Sequence, residues 1–376
     1  MIQILLLLIT FSLSLLALPN ESKICKSCHP LIYNEYYESS HRKSSIFNNP
    51  IHKAYWEKSP KDKKGYTCAK CHTPSDTSAL LSGKLKENNI QHDEPISCVF
   101  CHTIENIDSG EISNTNISTG KHKEFFTAQN EKKGTTTSSY KKETSWFGLV
   151  KKAKNSPYHK IDYNNEDYYT GNVCMGCHSH TNNEHGLDIV MLDAFIDKKD
   201  KHTCISCHMP QVLGSKVTLN KSKTHAYHGI AGIYKMNEEM GKYITFDVKK
   251  TEQGFTVDII NHANHALFGQ AYREGKLLVS IERDHKMIHL KSFSFTRILG
   301  KNKKLSLPWN ANEVLKDTLI YAHKEISFHH KIQEGDRLYL KLGVQLLSNI
   351  GIEDLELDKS SDSTKVRILK RETFQF

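Results

Sequence analysis

Three patterns of hydrophobic and polar positions succeed one another along the chain. Ile4 to Leu18 is an apolar run broken only by Thr10, Ser12 and Ser14, with Pro19, Asn20 and Glu21 directly after it. That length and flank predict a secretory signal peptide over residues 1–18, with cleavage near Ala17. Its start carries neither Lys nor Arg, so an uncleaved single anchor is the other reading, and the only route to a membrane. From about Tyr243 onward, apolar and polar residues alternate in short runs: Tyr243 to Val248, Phe255 to Ile260, Lys276 to Ile281, Lys291 to Ile298, Leu338 to Val344 and Lys365 to Leu369. A period of two predicts strands. Glu252, Gln253 and Gly254 would turn the first into the second, and Glu334, Gly335 and Asp336 would turn into the fifth. Residues 236–376 are therefore expected to form an all-β antiparallel sandwich large enough for its own core. Residues 19–235 sustain neither period. They predict a mainly α or irregular domain with little regular structure, in which residues 103–145, rich in Asn, Ser, Thr, Gly and Lys, form a polar surface insertion.

Composition narrows the classes. With 376 residues, 38% of them hydrophobic, the chain is neither wholly disordered nor a polytopic membrane protein, and two domains are expected. Lys and Arg number 51 against 42 Asp and Glu, interleaved along most of the sequence, so the net charge of +9 permits acidic partners without requiring them. The informative counts are ten Cys and 22 His.

The cysteines fall in five pairs: Cys25 and Cys28, Cys68 and Cys71, Cys98 and Cys101, Cys174 and Cys177, Cys204 and Cys207. Each pair is spaced Cys-x-x-Cys, and the next residue is always His: His29, His72, His102, His178 and His208. Chance supplies on the order of 0.01 such motifs at this composition. Two thiols three residues apart reach the two vinyl groups on one haem edge and form thioethers, while the adjacent imidazole swings beneath the ring to bind iron. Zinc knuckles would combine Cys-x-x-Cys units in pairs, which five units cannot do, and give no role to the invariant neighbouring His. Local disulfides leave the five histidines unexplained, and thioredoxin-like pairs need a βαβ setting that is missing here. The reading is five covalently attached haem c groups.

From Cys25 to His208 there are 184 residues, about 37 per haem, too few for a conventional apolar core. The haems themselves would be the core, with edges close enough for electron hopping. Ten propionates would offset the basic balance, so nucleic acid is not implied. Each iron takes a second axial ligand or keeps that position open, and seventeen histidines remain for at most five such places. No Cys-x-x-Cys-Lys occurs, and Met209 points away from the iron beside it, so two histidines per iron is the default.

The ordered motifs resemble multihaem cytochromes of the cytochrome c-552/c-554 domain family. The resemblance runs from Cys25, Cys28 and His29 through Tyr33, Tyr36, Ser39 and His41, then Ile96, Ser97, Cys98 and Phe100. It continues through Asn155 to His159, through Cys207, His208, Met209 and Pro210, and ends in Thr224 to Gly229. It implies His41, His159 and His225 as distal ligands, with His228 the rival to His225. Related chains carry a His-bearing motif in the sheet domain, for which Asn261, His265, Phe268 and Arg273 could stand, although Gly269, Gln270 and Ala271 replace its Pro-Thr-Gly step and His262 competes. For the fifth iron the candidates are His92, His122, His180 and His185. His52, His202, His285, His289, His323, His329 and His330 read as surface or strand-face residues.

The expected function is a periplasmic or otherwise exported electron carrier, with redox proteins of that compartment as partners and most irons held by two histidines. The alternative is an oxidoreductase acting on a small nitrogen or sulfur compound at one five-coordinate haem; a third reading makes the sandwich a docking module.

Overall fold

A computed structural model describes residues 22–59, 65–85, 93–120, 123–137, 140–144, 151–192, 202–219, 221–359 and 362–376. The expected signal peptide and the candidate ligands His92 and His122 lie outside these. Among the described residues no helix is long and apolar enough to cross a membrane.

The N-terminal part is built from short pieces whose ends are written in the sequence. Helices α1 (Pro30–Tyr37) and α2 (Pro50–Lys58) both begin with proline, whose missing N–H costs nothing in a first turn, and the Asn49 side chain caps α2 by accepting from the His52 N–H at 3.1 Å. Two Cys-x-x-Cys-His motifs are themselves capped helical turns. Ser97 caps α3 (Cys98–His102), and Thr203 with Ser206 forms a capping box on α4 (Cys204–His208). The stretch after His102 carries strands: β1 (Ile104–Asp108) pairs antiparallel with β2 (Thr115–Ser118), and β3 (Glu124–Phe126) lies parallel to β4 (Lys160–Asp162). Buried side chains in this part are largely tyrosines, small residues and polar groups, among them Tyr33, Tyr36, Tyr66, Tyr163 and Tyr168.

The C-terminal part has three antiparallel sheets, one of them a small one over Arg297–Lys301, Lys304–Leu305 and Glu313–Asp317 and the other two larger. In one of the larger two, β5 (Ile244–Lys250) pairs with β6 (Phe255–Asn261), which pairs with β10 (His323–Phe328). In the other, β7 (Glu274–Arg283) lies between β8 (Lys286–His289) or β9 (Phe293–Phe295) on one edge and β11 (Arg337–Gln345) on the other, with β12 (Arg367–Gln375) outermost. Alternation of exposure along β6 and β7 turns Phe255, Val257, Ile259, Leu277, Val279 and Ile281 inward. These residues and Leu338, Leu340, Leu342 and Val344 of β11 form one hydrophobic core fed by both larger sheets. Each such fully buried side chain contributes about 1.5–3 kcal/mol. Gly254 closes the β5–β6 turn where a Cβ would collide with the Phe328 carbonyl, so the third sheet strand approaches only because the turn has no side chain there.

The two parts share a small apolar contact. Ala54 of α2 packs with Tyr272, Leu347, Ile352 and Leu355, and Tyr55 donates from its hydroxyl to the Ala271 carbonyl at 3.3 Å.

Candidate haem-binding site

Each motif folds as a single turn. The backbone N–H of His29, His72 and His178 donates to the carbonyl of the first cysteine of its own motif at 2.8–2.9 Å, which places both thiols and the imidazole along one side of the turn. Four motifs open with their cysteines and histidine onto one continuous cavity of about 2270 Å³, and Ile205 and Met209 line it beside the fifth. Ordinary small-molecule pockets measure roughly 300–1,000 Å³. This space takes the place of a core.

Histidines face one another in four pairs, three of them across that space and the fourth, His208 with His265, outside its lining. Ring centres are 6.3 Å apart for His29 and His159, 5.9 Å for His41 and His178, 6.3 Å for His102 and His228, and 6.2 Å for His208 and His265. An iron bound by two Nε2 atoms at about 2.0 Å each would hold the ring centres roughly 6 Å apart. Among the described residues no cluster of three or more His, Cys, Asp or Glu could hold a lone metal ion. Two facing imidazoles leave four equatorial positions to fill, as a porphyrin does.

The imidazoles are set in the right tautomer. Nδ1 contacts a backbone carbonyl in His29 (Lys216, 2.6 Å), His102 (Phe126, 2.7 Å), His208 (Ala231, 2.6 Å), His228 (Ala226, 2.7 Å) and His265 (Ala266, 3.0 Å), and more distantly in His72 (Ser44, 3.3 Å) and His159 (Lys160, 3.3 Å). A carbonyl can only accept, so Nδ1 carries the proton and Nε2 keeps its lone pair for iron. Burial, reinforced by neighbouring imidazoles, pushes His41, His178 and His228 down to about 4 and His72 to about 3; it also lowers His102, His159 and His265. Neutral imidazole is the ligating form.

His225 is placed differently from the expectation that the family resemblance raised. Its Nδ1 donates to the Gly214 carbonyl at 3.0 Å and its Nε2 meets Glu35 Oε1 at 2.9 Å, so neither nitrogen is left for a metal. The other Glu35 oxygen accepts from the backbone N–H of His228 at 2.9 Å. His225 thus orients the segment that carries His228, and His228 is the ring opposite His102. Replacing His228 by alanine is expected to turn one ferric haem high-spin in the electron paramagnetic resonance spectrum, while His225→Ala leaves the spin states unchanged; the reverse pattern would restore His225 as the ligand.

Other candidates are engaged elsewhere. His180 Nε2 meets the Gly110 carbonyl at 2.8 Å, His262 Nε2 bonds Thr245 Oγ1 at 2.8 Å, and His185 lies 3.7 Å from Glu184. His52, expected at the surface, is buried on α2 with its ring centre 3.8 Å from that of His72, too close for an iron between them. Both of these Nδ1 atoms approach the Ser44 carbonyl, His52 at 2.9 Å. The stretch expected as a solvated insertion supplies the Phe126 carbonyl to His102 and packs Phe125 5.1 Å from His159.

The thiols show which motifs adjoin. Those of Cys25 and Cys98 are close enough to act on one another, as are those of Cys71 and Cys177 and of Cys174 and Cys204. Cys101 is near enough to Cys174 and Cys177 to act on them electrostatically. The first motif therefore meets the third, the third meets the fourth, and the fourth meets the second and the fifth.

Residues 24–103 match the family model described as cytochrome c554 and c-prime. The fold is similar to that of a penta-heme cytochrome c552 from Thermochromatium tepidum, with a TM-score of 0.70 at 18% identity over 95% of this chain and 98% of the other. No curated protein matches this chain.

Proposed function

We propose that this chain is a multihaem c-type cytochrome, as the match of residues 24–103 to the cytochrome c554 and c-prime model and the shared fold support, and that it is an exported electron carrier with five haems in a respiratory chain. The observation that carries this reading is the set of four His–His pairs at 5.9–6.3 Å, each beginning from a Cys-x-x-Cys-His motif. Bound haem supplies one-electron chemistry at iron. The chain's own residues do the rest. The ten cysteines would anchor the rings and keep their order fixed. Nδ1–H donation to carbonyls makes the imidazoles that have it more basic ligands and so favours ferric iron, a lever on potential that differs from site to site. The unbroken run of adjoining motifs, first to third to fourth and then to second and fifth, is what a carrier needs. Export is supported by the apolar run at Ile4 to Leu18, and the partners would be redox proteins of the same compartment.

A second reading, an oxidoreductase acting on a small nitrogen or sulfur compound, draws on one observation. Among the described residues no histidine stands about 6 Å across from His72; the ring beside it is His52 at 3.8 Å. The second motif is thus where an open iron position would lie.

Intact mass and haemochrome absorbance of the purified protein are expected to give five haems per chain, and the ferric spectrum at least four low-spin irons. A stoichiometric high-spin signal that moves with nitrite or cyanide would favour the second reading, and a mass equal to that of the polypeptide alone would end both.

A further inference from the structure

The sheet domain sends an unneutralised cation into the haem cavity. Arg273 stands one residue ahead of β7, its backbone pinned by its N–H donating to the Gln270 carbonyl (3.1 Å) and its carbonyl accepting from Thr296 Oγ1 (3.0 Å). Its side chain lines the cavity, and its buried Nε has no hydrogen-bond partner. Tyr55 and Tyr234 are the groups whose charge acts on it, and no carboxylate pairs with it among the described residues. Burial pushes its pKa down to about 10. Trp309 lines the same cavity 6.0 Å from Tyr55, and its Nε1, also buried, donates to nothing. The Tyr55 hydroxyl spends its proton on the Ala271 carbonyl.

The wall therefore holds two buried donors that meet no acceptor among the described residues. Arg273 is half-buried as a residue, and a guanidinium whose Nε is sealed from water with no counter-charge is unfavourable, so its natural complement is an anion with two oxygens in one plane. The charge of Arg273 reaches His178, the iron-facing histidine of the fourth motif. We infer that Arg273 is a carboxylate anchor, with Trp309 as a second donor, and that the carboxylate is a propionate of the haem attached at Cys174 and Cys177. This rests on the five-haem reading above. A cation at that place disfavours the extra positive charge of ferric iron and so raises the potential of that one haem.

The test uses the full-length, haem-loaded protein. Arg273→Gln is expected to keep five haems, to shift the propionate-bending band in the resonance Raman spectrum, and to lower one of the five potentials by about tenfold in its redox equilibrium constant, about 59 mV for a one-electron couple. Arg273→Lys should recover part of that shift in potential but not the band, since it keeps the charge and loses the fork. Trp309→Phe should move the band alone, and it carries the test if the Arg273 variants do not fold. Five haems with unchanged band and potentials would overturn the assignment. So would unchanged potentials together with loss of a nitrite-induced optical shift, which would give the arginine to a diffusible anion instead. Failure of the five-haem reading would be visible earlier, in the haem content of the unmodified protein.

Discussion

Replacing Cys174 and Cys177 together by alanine is expected to cost one haem and divide the remaining four into three groups that no longer exchange electrons quickly. The fourth motif is the meeting point: the Cys174 thiol acts on that of Cys204, the Cys177 thiol acts on that of Cys71, and Cys101 of the third motif acts on both. Haemochrome absorbance should fall by about one fifth. After rapid injection of one electron, the unmodified protein should equilibrate among its haems in a single fast phase, whereas the variant should show isolated populations that settle only through collisions between molecules. Equilibration at the original rate in the four-haem protein would show that the order of sites read from the thiols is wrong. The loss has a local structural side as well, because Asn116 donates from its side-chain amide to Cys177 Sγ at 3.1 Å and Asn114 to the Met175 carbonyl at 3.1 Å. Cys25→Ala with Cys28→Ala, at the end of the row, should remove one haem and leave exchange among the others intact.

The second large effect concerns His265. It is held just beyond β6 by Asn261, whose side-chain amide donates to the His265 carbonyl at 2.8 Å and to that of Tyr321 at 2.6 Å. Its ring faces His208 at 6.2 Å with an interplanar angle of 18°. His265→Ala is expected to convert about a quarter of the low-spin intensity from the four His–His sites to a high-spin, ligand-binding form. The same change should lower the thermal midpoint, since the sheet domain would lose a bond to the iron on α4 and keep the contact around Ala54 and Tyr272 with polar ties such as Asn183 to the Pro308 and Ala311 carbonyls and Lys58 to Glu356. His262→Ala should leave the spectrum untouched, because its Nε2 is held by Thr245. A low-spin His265→Ala protein with an unchanged midpoint would remove the histidine from the ligand set.

Much of this was legible in the residues, and the parts that were not have a common reason. The Cys-x-x-Cys-His turns are local, so their spacing alone fixes which atoms share a side. The runs at 255–260, 276–281 and 338–344 became β6, β7 and β11 because their alternation is that of a sheet with one covered face. Strand β10 passed unread: His323, Lys324 and Glu325 hide a period that only Ile326 and Phe328 express. Distal histidines depend on pairings across the whole chain. His225 and His228 stand three residues apart with similar neighbours, and what separates them is Glu35, 190 residues away from His225. His52 likewise reads as an ordinary exposed helix residue until Tyr66 and His72 close over it. The polar stretch after His102 looked dispensable because a backbone carbonyl, unlike a side chain, leaves no mark in a sequence.

The contrast between one half filled by leucines and the other by tyrosines around a large cavity dictates an order of assembly. The C-terminal sheets contain all they need to collapse unaided, since their interior is their own side chains. The preceding half has only a small apolar cluster around Tyr66 to condense on until its prosthetic groups are in place, which would leave its thiols open to the machinery that must reach them. Maturation would then finish with the last-made domain presenting His265 to an already loaded partner, the closing step that seals the molecule.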